Sequence, residues 1–399
     1  MRASHILQSL WQKCAGKIDA RRLRTLGLAI DAVVHAAHLT LTALGRALET
    51  ATTPKHAIKR IDRLVSNPRL LHELPLLRTA VAHRLIRRIR HPIILVDWTL
   101  IRGSHWALAA TLPYLGRSLP LYEEVHSKSR VGNRRLQTRF LECLAAMMPE
   151  GARPIIVADA GFRSPFFHAC RQCKFDFVIR LRGQGTLYRY RDTSMSLLEA
   201  FALACGVALC LGQWEVFRNG KYRDSYRVVV GPKPPATENQ DYQRRRAAEP
   251  WLLATTLADR RPAQIVAIYA MRMQIEETFR DAKNPRFGLA LSYTRSNCSR
   301  RLTVLLAIAA FALVAAMLVG VAAEQLGLHR QLQANSMRSR RVLSVAMVGA
   351  WLLARPSPAL QLRAVIRCIQ ELDRIVHSVQ HRRMLQLKLP YPRKFFARR

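Results

Sequence analysis

The sequence predicts an α/β chain: a mixed sheet with helices on its faces, interrupted by a β-rich insertion and flanked by all-α regions at both ends. Three observations predict it. Between residues 92 and 183, three apolar β-type runs come in succession and further runs then alternate with amphipathic helical segments. The stretches before and after this region carry helical periodicity. Half of the 399 residues are apolar, enough to bury a sizeable core spread over two or three domains.

Residues 1–88 read as a helical DNA-binding domain. LRTLGLAIDAVVHAAHL and LTALGRALE are helical, and a third helix begins in TTPKHAIKRIDRLVSNP. There Thr53 suits the N-cap, Pro54 the first helical position, and Asn67-Pro68 the stop. Two short helices joined by a tight turn, the second bearing Lys55, Lys59, Arg60 and Arg63, suggest a helix-turn-helix-like element. An ordinary bundle with a solvated basic face gives the same pattern, and both readings stay open.

From Pro92 the grain changes. PIILVDWTLI, HWALAATLPY and RSLPLYEEV read as strands and RRLQTRFLECLAAMM as a helix. PIIVADAGF is a buried strand, SPFFHACRQC a helix opened by Ser164 and Pro165, and DFVIRLRG a strand. The order β-β-β-α-β-α-β is that of the ribonuclease-H-like fold. Residues of about 184–250 interrupt it with ALCLGQWEVF and YRDSYRVVVG, then the polar PKPPATENQDYQRRRAAEP, which reads as an inserted β-subdomain with a loop. EPWLLATTL restores a strand, and one long helix follows from about Pro262 to Lys283. The expected division is thus 1–88, a ribonuclease-H-like domain at 89–290, and a helical region at 291–399, suited to dimerisation and DNA contact, ending in the basic, frayed KLPYPRKFFARR. No fixed-period repeat is present.

Charge bounds the partner. Lys and Arg number 64 against 26 Asp and Glu, a net charge of +38 that far exceeds what solubility asks for. A polyanion is implied, and nucleic acid before a ribosomal or membrane-surface setting, because both ends of the chain are basic. The eight cysteines show no disulfide framework, and the lone C-x-x-C, Cys170 and Cys173, has no second pair at zinc-finger distance, so buried thiols in a reduced cytoplasm fit. The N-terminus has no secretory h-region. Residues 302–323 carry no charge and are long enough to cross a bilayer, yet the run is Ala-rich and has no second span, so a core helix is expected and no membrane.

The chemistry centres on three carboxylates. Asp97 follows Ile93, Ile94, Leu95 and Val96, and Asp159 follows Ile155, Ile156, Val157 and Ala158, each an acid at the end of a buried strand. An ionised carboxylate there is costly unless paired, and a divalent cation can hold two together, although either could instead cap a turn. At 100° per residue, Tyr269, Arg272, Glu276, Arg280 and Lys283 share a helical stripe about 80° wide. Ile268, Met271, Ile275 and Phe279 form the apolar face beside it, and Glu277 falls off the stripe. One acid among three cations and a phenol suits a site for metal ions and a phosphodiester; Arg272 and Glu276 would equally make a structural i,i+4 pair.

Tyr269, Arg272, Glu276 and Lys283 also match Y-x2-R-x3-E-x6-K, and the chain here resembles the DDE transposases of insertion-sequence family four. LVDW, VADAGF, EPWLLATTL and IEETFRDAK are similar to the branch containing the transposase of the tetracycline transposon ten. The resemblance spans nearly the whole chain. It implies that Asp97, Asp159 and Glu276 bind two Mg2+ ions, with Mn2+ as a substitute, and that Tyr269, Arg272, Arg280 and Lys283 contact DNA phosphates. It implies a cytoplasmic, nucleoid-associated bacterial enzyme that binds terminal inverted repeats as a homodimer in a synaptic complex, nicks the ends, forms and resolves a hairpin, and joins 3′ ends to target DNA. Trp251 matches the position of an aromatic that stacks on a flipped base, and as a bare residue it serves equally as core. A decayed DNA-binding copy and another ribonuclease-H-like nuclease are the competing classes; the intact acids argue against the first and the long insertion against the second.

Overall fold

The computed structural model describes residues 2–12, 14–182, 186–188, 193–216, 224–232, 249–284, 289–337 and 341–355, with residues 365, 367, 376–378, 380 and 381. The KLPYPRKFFARR tail, Cys368 and most of the 232–250 stretch lie outside the described residues.

The N-terminal region holds α1 (Ala3–Trp11), α2 (Ala20–Ala36), α3 (Leu41–Arg46), α4 (Pro54–Val65) and α5 (Pro68–Ile86). Polar caps start most of them: Asp19 accepts from Arg22 N, Thr40 from Ala43 N, and Asn67 from Arg69 N and Leu70 N. Thr53 differs from the expectation. It stands at the N-cap with Pro54 next, but its hydroxyl pairs with His56 Nδ1 at 3.0 Å and caps no backbone N–H. The α3–α4 crossing is close enough that a Cβ on Gly45 would lie 2.5 Å from Ile58 Cα, so only glycine fits.

The sheet strands are β1 (Ile93–Arg102), β2 (His105–Tyr114), β3 (Arg117–Ser127), β4 (Ile155–Ala158), β5 (Asp176–Leu181), β6 (Thr186–Tyr188), β7 (Ser194–Ser196), β8 (Leu209–Val216), β9 (Asp224–Val230) and β10 (Leu252–Thr255). Among the described residues they form one mixed sheet in the order β3-β2-β1-β4-β5-β10-β9-β8-β6-β7. β1, β4 and β5 run parallel, and β2 and β10 are antiparallel to their neighbours. Two parallel steps need crossovers, supplied by α6 (Arg134–Ala146) and α7 (Ser164–Gln172).

One expectation is corrected and another made more definite. The β-rich insertion joins the main sheet: β9 pairs with the free edge of β10, Val228 to Val230 facing Ala254 to Leu252, so its strands extend the same sheet, with α8 (Leu197–Ala202) beside them. Pairing of apolar strand edges wins over separation because an open central edge leaves backbone groups unpaired. The single long helix is two, α9 (Pro262–Ala270) and α10 (Met273–Lys283). At the junction Met271 N bonds to Ile268 O, Arg272 N to Tyr269 O and Ile275 N to Arg272 O, the three-residue spacing of a tighter turn.

Alternation along β1 sorts its side chains. Ile93 and Leu95 join the core shared with Ile265, Ile268, Ile275 and Phe279 of α9 and α10. Ile94 and Val96 face the larger core, which includes the N-terminal helices and α11 (Ser299–Gln325). Asp97 therefore falls on the α9–α10 face. α11 is long and apolar enough to cross a membrane by composition, but it is buried within the fold. It packs on α12 (Val345–Ala354) through two glycines: a Cβ on Gly320 would meet Val345 O at 1.9 Å, and one on Gly349 would meet Ala316 O at 1.7 Å.

Candidate active site

Asp97 and Asp159 come from adjacent parallel strands, Val96 pairing with Ala158, so the two acids leave the sheet side by side. α10 crosses β1 to β3 and is pinned to the far edge by Thr278 Oγ1, which accepts from Ser118 N at 2.7 Å, and by Asp281, which accepts from Arg117 Nε at 2.6 Å. That register sets Glu276 beside Asp97 and Asp159. Asp97, Asp159, Glu276, Arg272, Arg280 and Lys283 all line one open cavity of about 580 Å³.

Arg272 is the hub. Its Nη1 lies 3.3 Å from Asp97 Oδ2 and its Nη2 lies 2.6 Å from Glu276 Oε1. Burial works against the guanidinium charge, but Tyr269 and the three acids more than offset it and hold its pKa above the usual value. Asp97 Oδ1 accepts from Trp98 N at 2.8 Å, and Asp159 Oδ1 accepts from Gly161 N at 2.8 Å in a tight turn after β4. Burial, then the neighbouring Asp159 and Glu276 charges, push Asp97 up to about 7 against the pull of Arg272. Lys283 Nζ donates to Thr99 Oγ1 at 2.5 Å, and burial lowers its pKa against the attraction of Asp97.

The three acids offer oxygen donors alone, and their mutual repulsion raises Asp97, which is the chemistry a hard divalent cation neutralises. Among the described residues no three such side chains are gathered tightly enough to hold a metal ion, since Asp97 and Glu276 turn to Arg272. The donor chemistry thus fits, with the Arg272 guanidinium supplying the positive charge between two of the donors.

The predicted stripe is kept in part. Arg272, Glu276, Arg280 and Lys283 face the cavity, while Tyr269 is 3 % exposed and absent from its wall, because the tight turn at the α9–α10 junction rotates it into the core. Its ring meets Trp251 edge-on at 4.9 Å, and the Arg272 guanidinium lies 6.0 Å from its centre. Trp251 is half-buried there, also outside the wall. Glu277, off the stripe, is buried and pairs with Arg280 at 2.6 Å. Trp98, Thr99, Phe279 and Asn284, which the sequence did not single out as site residues, also line the wall. Thr99 was accessible by the two-residue period from Asp97, and Phe279 was read only as core. On α4, Lys55, Lys59 and Arg63 are exposed, whereas Arg60 is half-buried and donates to Thr25 Oγ1 at 3.2 Å.

Contrary to the sequence expectation, Asp97 lies within β1, which continues to Arg102, and only Asp159 follows a strand end, that of β4. An acid-lined cavity over adjacent parallel strands, ringed by cations, defines a class of site suited to phosphoryl transfer. Residues 88–313 match the family model described as Transposase DDE domain, and the chain belongs to that family. No curated protein matches it by sequence. Among solved structures it is similar to a piggyBac transposase in a synaptic complex with hairpin DNA, at 11% identity and a TM-score of 0.39, covering 92% of this chain and 76% of that one.

Proposed function

We propose that the protein is a cut-and-paste DNA transposase of a bacterial insertion sequence, of insertion-sequence family four and near the branch of the tetracycline-transposon-ten enzyme, with a ribonuclease-H-like catalytic domain at 89–290. The observation that carries this reading is the convergence of Asp97, Asp159 and Glu276 with Arg272, Arg280 and Lys283 on one cavity.

In this reading Asp97, Asp159 and Glu276 hold two Mg2+ ions, or Mn2+ in their place. Bound there, the ions supply Lewis acidity toward the attacking and leaving oxygens of an in-line displacement. Arg280 and Lys283 hold DNA phosphates at the cavity mouth, and Arg272 holds the phosphate nearest the acids. Tyr269, buried behind Arg272, positions that guanidinium through its ring face. Trp251 takes the flipped base of a hairpin intermediate.

The helices of residues 1–88 bind the terminal inverted repeats, α4 presenting Lys55, Lys59 and Arg63 to the backbone while Arg60 steadies α4 on α2. The enzyme acts as a homodimer in a synaptic complex, with the 291–399 region contributing to assembly, in the bacterial cytoplasm at the nucleoid.

Glu276→Gln tests the assignment. Its side chain is 41 % exposed, so the isosteric change leaves the fold intact. End binding by gel shift is expected within about threefold of wild type while cleavage falls by at least roughly 10³-fold, a loss of about 4 kcal/mol in transition-state stabilisation. Cleavage that persisted at the wild-type rate would remove Glu276 from the ligand set.

A further inference from the structure

Both carboxylate oxygens of Asp97 are engaged. Oδ1 accepts from Trp98 N at 2.8 Å, and Oδ2 accepts from Arg272 Nη1 at 3.3 Å. Glu276 Oε1 lies 2.6 Å from Nη2 of the same guanidinium, so one side chain bridges two of the three acids and leaves Asp159 outside the bridge. A hard divalent cation such as Mg2+ needs carboxylate oxygens at about 2.0–2.1 Å. Asp97 can turn an oxygen to an ion only by giving up one of its two partners. Trp98 N is held in the backbone of β1, whereas Arg272 is a side chain that can turn, so the exchange falls on Arg272.

Arg272 does not give up these acids without a replacement. Its side chain is 14 % exposed, and its Nε is buried with no hydrogen-bond partner. A guanidinium stripped of its carboxylates at such a depth is an uncompensated buried charge, which is strongly unfavourable. The charge of the cavity makes the same point. Its wall sets three acids, Asp97, Asp159 and Glu276, against three cations, Arg272, Arg280 and Lys283, so the formal charges cancel when all are ionised. Divalent ions would add positive charge that nothing on the wall balances, in a chain already at +38. The balancing anion has to arrive from outside, and a DNA backbone brings one with every phosphate.

We propose that Arg272 is the resident counter-ion of Asp97 and Glu276 in the DNA-free protein, and that a phosphate of the bound DNA end draws it away so that these acids can take a divalent ion. The proposal rests on the transposase reading and adds to it a coupling between end binding and metal loading. The coupling is reciprocal: the duplex raises the affinity for the metal, and the metal raises the affinity for the duplex by the same factor. The free protein thus carries an unloaded site.

The test is Mn2+ binding, read from loss of the free-ion electron paramagnetic resonance signal, without and with a duplex. The duplex carries the element's end, already cut and finished with a 3′-dideoxynucleotide, so it can be neither cleaved at that end nor joined. Binding by the duplex alone is subtracted, and the ions lost in Asp97→Asn define this site. Wild type should hold Mn2+ at least roughly tenfold more tightly with the duplex than without it. Arg272→Gln should raise the affinity of the DNA-free protein by a similar factor and shrink the effect of the duplex to about threefold or less. Lys283→Gln removes the same charge from the wall without unpairing an acid, since Lys283 donates to Thr99. It should change the DNA-free affinity by less than about threefold. Equal wild-type affinity in the two states, no gain in Arg272→Gln, or an equal gain in Lys283→Gln overturns the proposal. If Arg272→Gln does not fold, the wild-type comparison decides alone. Absence of any Asp97-dependent Mn2+ binding, with or without the duplex, instead overturns the metal reading beneath it.

Discussion

Arg272 is 14 % exposed and salt-bridged to Asp97 and Glu276 at once, so a single side chain holds the geometry of two catalytic candidates. Outside the site, Glu124 shows how strongly polar networks stiffen this sheet. Burial alone would raise its pKa, but His126, Tyr122 and Arg139 override that and hold it at about 2. A carboxylate lowered in the folded state adds stability that is complete above its ordinary value near 4.5 and is lost as pH falls toward 2. Glu124→Gln should therefore destabilise the protein at pH 7 by on the order of 2 kcal/mol, with the gap to wild type narrowing below pH 4.5 in denaturant titrations. A constant gap across pH would contradict the network. At Trp251, packed edge-on against Tyr269, replacement by Ala should slow hairpin formation or resolution more than the first nick. Equal slowing of both steps would reduce Trp251 to a packing residue.

The elements bring these residues together through close backbone approaches as much as through polar contacts. α11 and α12 meet where Gly349 leaves room for Ala316 O, and a methyl group there would sit 1.7 Å from that oxygen. Gly349→Ala should cost about 1–3 kcal/mol by forcing the helices apart, read as a lower denaturant midpoint. An unchanged midpoint would mean the contact is slack. Much of this scale was legible in the sequence. β1 to β5 follow from apolar runs closed by turn residues, and Asp97 and Asp159 stood out because an acid ends each run. The break between α9 and α10 was not legible, since Met271 and Arg272 are good helix formers and neither is Gly or Pro. With it went the placement of Tyr269, because a helical projection assumes an uninterrupted 3.6-residue turn. The joining of β9 to β10 was also beyond reach, because pairing across the insertion depends on which edge is open and not on local pattern.

At the scale of the molecule, charge and packing point the same way. A net charge of +38, together with burial of α11, the one helix among the described residues long and apolar enough to cross a membrane, fits a protein that meets a polyanion. It should leave lysed cells with high salt alone. Retention in the membrane pellet until detergent is added would contradict the burial of α11. The central claim is that Asp97 and its partners cut DNA with a divalent ion. Its most direct test is cleavage of a labelled duplex bearing the element's terminal repeat, with Mg2+ or EDTA, by wild type and Asp97→Ala. The account predicts nicking by wild type in Mg2+ alone and none by the variant; binding without cleavage by wild type in any metal would contradict it.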